Sequence, residues 1–205
     1  MSVTLLSAIG LANASSHRDY RANNSAQSTI TEIVSRSGGD FDNNNFDFDI
    51  LLTSVGLAGL GDALDDRSAN LTLLAPTDIA FIRLAQALGY AGDDEGGAFD
   101  VIVAALTDLG NGDPIPVLTD ILLYHVLPER LSTGSIRRSG SLDTLLDDAT
   151  ITPDGSRLID NEPDVRDPRF VRPSNIRATN GIVHTIDRVL IPLDLAPARR
   201  YSWYW

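Results

Sequence analysis

Apolar residues in this chain fall into short blocks whose spacing switches between helical and strand-like. The clearest block runs from Leu71 to Leu88. Leu71, Leu73 and Leu74 form an apolar run closed by Pro76, which cannot donate to a sheet ladder. Thr77 then stands where a helix N-cap is wanted, with Asp78 adding negative charge to the first turn. Phe81, Leu84, Ala85 and Leu88 follow at i, i+3, i+4 and i+7, and Gly89 occupies the left-handed C-terminal position. The block predicts a buried strand running straight into an amphipathic helix.

The flanking blocks extend this pattern. Upstream, Ile30, Ile33 and Val34 predict a short helix; Phe48, Leu51, Leu52 and Val55 put one apolar face on another that stops near Gly56. Leu57, Leu60 and Leu64 continue as a short stripe as far as the charged turn Asp65-Asp66-Arg67. Downstream, Phe99, Ile102, Val103 and Leu106 repeat the helical spacing between an acidic loop, GDDEGG, and a breaker, GNGDP. Leu142 to Ile159 reads as short strands turning at Pro153-Asp154-Gly155. Asn180-Gly181 signals a tight hairpin turn. Beyond it, Ile182, His184, Ile186 and Leu190 alternate onto one face while Val183, Val189 and Ile191 take the other, as in a central strand buried on both sides. Helix pairs leading into buried strands predict a compact α+β domain.

Composition narrows the function classes. With 205 residues and 43% apolar content the chain buries a sizeable core. A net charge of −12 disfavours nucleic-acid phosphates and anionic lipid as partners. All 16 basic residues are arginine and 24 of the 28 acidic ones aspartate, a bias that fits a GC-rich bacterial genome and leaves no lysine for Schiff-base chemistry. Cysteine is absent, which removes disulfides and thiolate chemistry together. No apolar stretch reaches the ~20 residues of a transmembrane helix. Val3 to Ala12 has the length of a signal-peptide core but no positive charge before it, so a cleaved signal is not expected.

Candidate chemistry is sparse. The acidic stretch from Asp40 to Asp49 places Asp40, Asp42 and Asn44 like the first three ligands of an EF-hand. The pattern then fails, with Asn45 in place of the turn glycine and Leu51 in place of the bidentate carboxylate, so the reading is a polar loop in which Asp47 caps the following helix. No metal or cofactor is expected. His184 and Asp187, three apart on a strand, point to opposite faces rather than forming an acid-base pair. There is no G-x-S-x-G, H-E-x-x-H, P-loop or G-x-G-x-x-G motif, and the chain reads as a non-enzyme. Arg130, Arg137 and Arg138 make one loop locally basic, and Asn161 to Ser174 forms a proline- and arginine-rich loop of the kind used in recognition.

Three segments, LTLLAPTDIAF from Leu71, ILLYHVLP from Ile121 and TNGIVHTIDRVLIP from Thr179, have the order and spacing of conserved segments in fasciclin (FAS1) domains. The chain resembles that family over roughly Ser28 to Leu193. The resemblance implies a FAS1 fold, a β-sandwich or wedge flanked by short helices, in a secreted or cell-surface module for adhesion or matrix binding. It marks Tyr124 and His125, with Ile121, Leu123 and Leu127 beside them, as an adhesion motif, although their apolar flanks argue for hydrogen bonding inside a core. Thr77, Asp78, Asn180, Gly181, His184 and Asp187 are its structural positions. The organisation expected is a linker over 1–27, one domain over 28–195 with insertions near 91–117 and 161–174, and an aromatic tail over 196–205. Arg199, Arg200, Tyr201, Trp203, Tyr204 and Trp205 make that tail a candidate docking element. An extracellular protein or glycan is the expected partner; self-association into a larger assembly and binding of a small apolar ligand are the alternatives.

Overall fold

The computed structural model describes residues 27–42, 44–193 and 195. In chain order, α1 (Ile30–Ser37), α2 (Asp49–Leu57) and α3 (Gly61–Asp65) precede β1 (Leu71–Pro76). Then come α4 (Asp78–Ala87), α5 (Glu95–Leu109), α6 (Ile115–Tyr124), β2 (Val126–Leu127) and α7 (Thr133–Ile136). Five strands follow: β3 (Leu142–Asp143), β4 (Thr150–Asp154), β5 (Arg157–Ile159), β6 (Ile176–Ala178) and β7 (Gly181–Ile186).

The long apolar run builds the centre, as its composition requires. β1 is buried along its whole length and lies inside a four-stranded sheet of order β2-β1-β7-β6. It pairs in parallel with β7, from Leu71 opposite Gly181 to Pro76 opposite Ile186, and antiparallel with β2. Successive side chains of a strand point to opposite faces. Leu71, Leu73 and Ala75 therefore enter one core with Val183, while Leu74 enters a second with Ile186. The sheet is the wall between them.

Helices close the first core. The apolar faces of α1, α2, α4, α5 and α6 contribute Ile30, Leu51, Phe81, Ile102 and Ile121 to it, among others. The helix over Glu95–Leu109 thus covers the domain's own interior, burying Ala98, Ile102 and Leu106, with Phe99 packed at its edge. A second sheet, β3-β4-β5, closes the other core and sets Leu142, Ile151 and Leu158 against Leu74, Tyr124, Ile186 and Leu190. The result is the expected α+β wedge of two sheets flanked by helices.

Local details differ from the sequence reading where long-range contacts decide. β7 ends at Ile186, yet Val189, Leu190 and Ile191 keep the expected alternation: Val189 and Ile191 join the first core and Leu190 the second. The last hairpin turns on Thr179 and Asn180 rather than on Asn180 and Gly181, because Ala178 pairs with Gly181. Gly181 is required by space instead, since a Cβ there would lie 2.4 Å from the Leu71 carbonyl oxygen and 2.7 Å from Ile30 Cδ1. The β4–β5 turn is likewise one step later than expected: Asp154 pairs with Arg157, which leaves Gly155, at φ +61°, and Ser156 to turn the chain.

Candidate functional site

The Tyr124-His125 pair sits where α6 runs into β2, and neither residue reaches the surface. The Tyr124 hydroxyl donates to the Thr150 carbonyl at 2.8 Å, fastening α6 to the second sheet, and burial pushes its pKa up. His125 Nδ1 donates to the Ile121 carbonyl at 2.7 Å, while Nε2 accepts the Leu190 amide at 2.9 Å. Its own carbonyl accepts the Leu74 amide. The imidazole therefore joins the end of α6 to the segment after β7, and the backbone of the same residue adds β1. Desolvation pushes its pKa down to about 4, so it is neutral at physiological pH. Ile121 and Leu127 are core residues and Leu123 is half-buried beside them.

His184 is held by the opposite tautomer. Its Nε2 donates to the Leu131 carbonyl at 2.8 Å and its Nδ1 accepts the Asn175 amide at 3.0 Å, with Phe170 edge-on at 5.6 Å. Burial lowers its pKa too. Asp187 turns elsewhere, accepting the Arg169 amide and pairing with Arg188. The two do not form an acid-base pair.

Asn180 is the most heavily used polar residue of the last motif. Its Oδ1 accepts the Ile30 amide at 2.9 Å, and its Nδ2 donates to the carbonyls of Leu64 and Asp66 at 2.8 and 3.0 Å. The hairpin is thereby tied to α1 and to the end of α3.

Thr77 and Asp78 do not act as expected. Thr77 occupies the N-cap position of α4 but its side chain makes no capping bond. The amides of Asp78 and Ile79 are taken instead by the carbonyls of Asp47 and Asn45. Asp78 is fully buried and accepts the amides of Asp49 and Ile50 at 3.2 and 2.8 Å, so it caps α2, a helix earlier in the chain. Burial, and the neighbouring Asp47 after it, push the Asp78 carboxyl up to about 8. Asp47, expected to cap α2, does not; the N-cap is Phe48, with no side-chain bond. Each of the two helices is capped by the segment that starts the other, a pairing that local sequence does not reveal.

Two further features lie outside the family motifs. The basic loop and the proline-rich loop, distant in sequence, meet across an open cleft of about 760 Å³ lined by Thr133, Arg137, Phe170, Arg172 and Asn175 among others. Its walls are pinned by Asn175 Oδ1 accepting the Thr133 amide at 2.9 Å, and from beneath by His184, which holds both Leu131 and Asn175. Second, the side chains of Asp42, Asp47, Asp49 and Glu95 converge beside the start of α2. Two apolar hollows between the helices and the sheet hold only about 20 and 40 Å³, well short of the few hundred Å³ that a small ligand needs. Among the described residues, no helix is long and apolar enough to cross a membrane. Arg199 to Trp205 lie outside the described residues.

Comparison with known proteins agrees with this architecture. The family model for the fasciclin domain matches residues 46–192. Transforming growth factor-beta-induced protein ig-h3 of Sus scrofa is 32% identical over 155 residues, covering 75% of this chain and 19% of that protein. An uncharacterised protein of Synechocystis sp. is 28% identical over 144 residues, covering 70% of this chain and 89% of its own length. The FAS1 domain pair of the insect cell adhesion molecule Fasciclin I superposes with a TM-score of 0.54 at 16% identity, over 80% of this chain and 51% of that one, a likeness of fold. The chain thus spans about a fifth of the ig-h3 protein and about half of the insect domain pair. With the motif residues spent on joining two cores and the family match running through both sheets, the chain belongs to the fasciclin domain family.

Proposed function

We propose that this domain is an extracellular or cell-surface adhesion module that binds a protein or glycan through the cleft between its basic and proline-rich loops. The observation that carries this reading is the charge of the cleft. In a protein of net charge −12, the cleft is lined by two arginines, Arg137 and Arg172, and by no carboxylate. Neither arginine is ion-paired among the described residues. Exposed, unpaired guanidinium groups on opposite walls of a concave surface suit carboxylate or sulfate groups, which they bind in a bidentate fork. The tyrosine and both described histidines of the family motifs are turned inward and brace the interior, which leaves contact with a partner to the loops. His184 supports the cleft directly, accepting the amide of Asn175 in its lining and bonding the carbonyl of Leu131 two residues before Thr133.

A binding screen against acidic glycans and matrix proteins, with wild type beside the Arg137→Ala/Arg172→Ala variant, tests the proposal. Binding that weakens at least about tenfold in the variant and falls with salt supports it. Undiminished binding in the variant refutes the cleft as the contact surface. A third arm lacking Arg199 to Trp205 asks whether the aromatic tail contributes to the contact, and its solution mass reports self-association.

A further inference from the structure

The loop before α2 and the first turn of α5 bring four carboxylates together, one oxygen from each of Asp42, Asp47, Asp49 and Glu95 lying within 4.8 Å of the others. Asp42 is exposed, whereas Asp47, Asp49 and Glu95 keep only 8%, 2% and 1% of their surface. Each buried carboxylate has one oxygen anchored by an internal N–H donor. Asn44 Nδ2 donates to Asp47 Oδ2 at 2.8 Å, the Gly39 amide to Asp49 Oδ1, and the Asp42 amide to Glu95 Oε2 at 2.8 Å. The second oxygen of each, Asp47 Oδ1, Asp49 Oδ2 and Glu95 Oε1, is buried with no hydrogen-bond partner.

No arginine pairs with any of the four among the described residues. Burial first, and the neighbouring carboxylates after it, push Asp49 and Glu95 up from the ordinary carboxylate range. Buried carboxylates left without a counter-charge are strongly unfavourable, and clustering them adds mutual repulsion. A counter-charge is what the arrangement lacks.

We propose that Asp42, Asp47, Asp49 and Glu95 form a calcium-binding site that ties the loop before α2 to the start of α5. Oxygens that ligate one ion at about 2.4 Å lie no more than about 4.8 Å apart, a limit that all four keep. An all-oxygen set excludes the metals that favour imidazole or thiolate. Four carboxylates suit calcium better than magnesium, which keeps several waters and takes one or two carboxylates. The three N–H bonds to Asp47, Asp49 and Glu95 are supporting contacts of the kind that orient ligating carboxylates. Phe41, tilted against Phe99 with ring centroids 5.7 Å apart, fastens the same loop to the same helix by an apolar contact.

The test is calcium titration of the chelator-treated full chain by calorimetry, with thermal melts in about 1 mM calcium and in EGTA. Asp49→Asn and Glu95→Gln are the variants, since each keeps an oxygen to accept the Gly39 or Asp42 amide. Wild type is expected to bind one calcium per chain and to melt several degrees higher with calcium than without. Either variant is expected to lose at least about tenfold in affinity. In EGTA the variants should melt at or above wild type, because a repelling charge has gone; this arm also shows that they fold. The proposal is overturned by the absence of both heat and melting shift at that calcium concentration. It is equally overturned by undiminished affinity in either variant, or by magnesium binding as tightly as calcium.

Discussion

Replacing His125 by glutamine tests whether the motif histidine is an internal brace. Glutamine can place its side-chain oxygen near the position of Nε2 and keep the bond from the Leu190 amide, made at 2.9 Å in the wild type. It loses the Nδ1–H donor, so the Ile121 carbonyl is left unsatisfied in the core. That loss costs about 1–2 kcal/mol at pH 7.5. The pH dependence is the sharper part. His125 has a pKa of about 4 in the folded chain against an ordinary value of 6.5, so its folded form binds fewer protons than the unfolded one. Its contribution is complete above about pH 6.5 and is lost as pH falls toward 4. The loss is about 1.4 kcal/mol at pH 5.5 and about 2.5 kcal/mol at pH 4.5. Glutamine does not titrate. The wild type should therefore be the more stable at neutral pH and the less stable at about pH 4.5, the two curves crossing between about pH 5 and 6.

Urea denaturation of both proteins across that range measures the gap. The total pH profile is not diagnostic, because Asp160 at about 6 and Asp78 at about 8 act in the opposite sense, stabilising in acid and losing that contribution as pH rises. The difference between the two proteins removes those contributions. A gap that stays constant from pH 7.5 to 4.5 would refute the buried, neutral histidine.

Three further substitutions probe the joints between the cores. Asn180→Ala removes bonds to Ile30, Leu64 and Asp66 and should cost about 3 kcal/mol or more in urea denaturation; a loss below about 1 kcal/mol would deny Asn180 its place as the tie. Gly181→Ala forces a methyl against the Leu71 carbonyl and Ile30, and should lower stability by about 2–3 kcal/mol, read as a fall in melting temperature. Tyr124→Phe leaves the ring in the core and removes only the bond to the Thr150 carbonyl, so about 1 kcal/mol should be lost with partner binding unchanged. A loss of binding in a folded Tyr124→Phe protein would restore a direct contact role.

The apolar pattern by itself determined the strand Leu71–Pro76, the helix it feeds, the helix carrying Phe99, Ile102 and Leu106, though not its first turn from Glu95, and the two-faced segment from Ile182 to Ile191. These are short-range properties: side-chain period and strand or helix breakers act within a few residues, and burial follows from them. The burial of Tyr124 and His125 was legible for the same reason, since their neighbours are apolar.

What the sequence did not disclose depends on groups that meet only after folding. Asp78 looks like a first-turn acid of its own helix, yet it caps α2, because the free amides at the start of that helix lie against it. Asp40, Asp42 and Asn44 suggested a local calcium loop that fails by its own spacing. The carboxylates that do converge include Glu95, 53 positions beyond Asp42. The arginine cleft likewise joins loops that share no local pattern. Periodicity records which face of an element avoids water; it carries no information about which polar groups two distant elements present to one another, and in this chain the tertiary structure alone decided that.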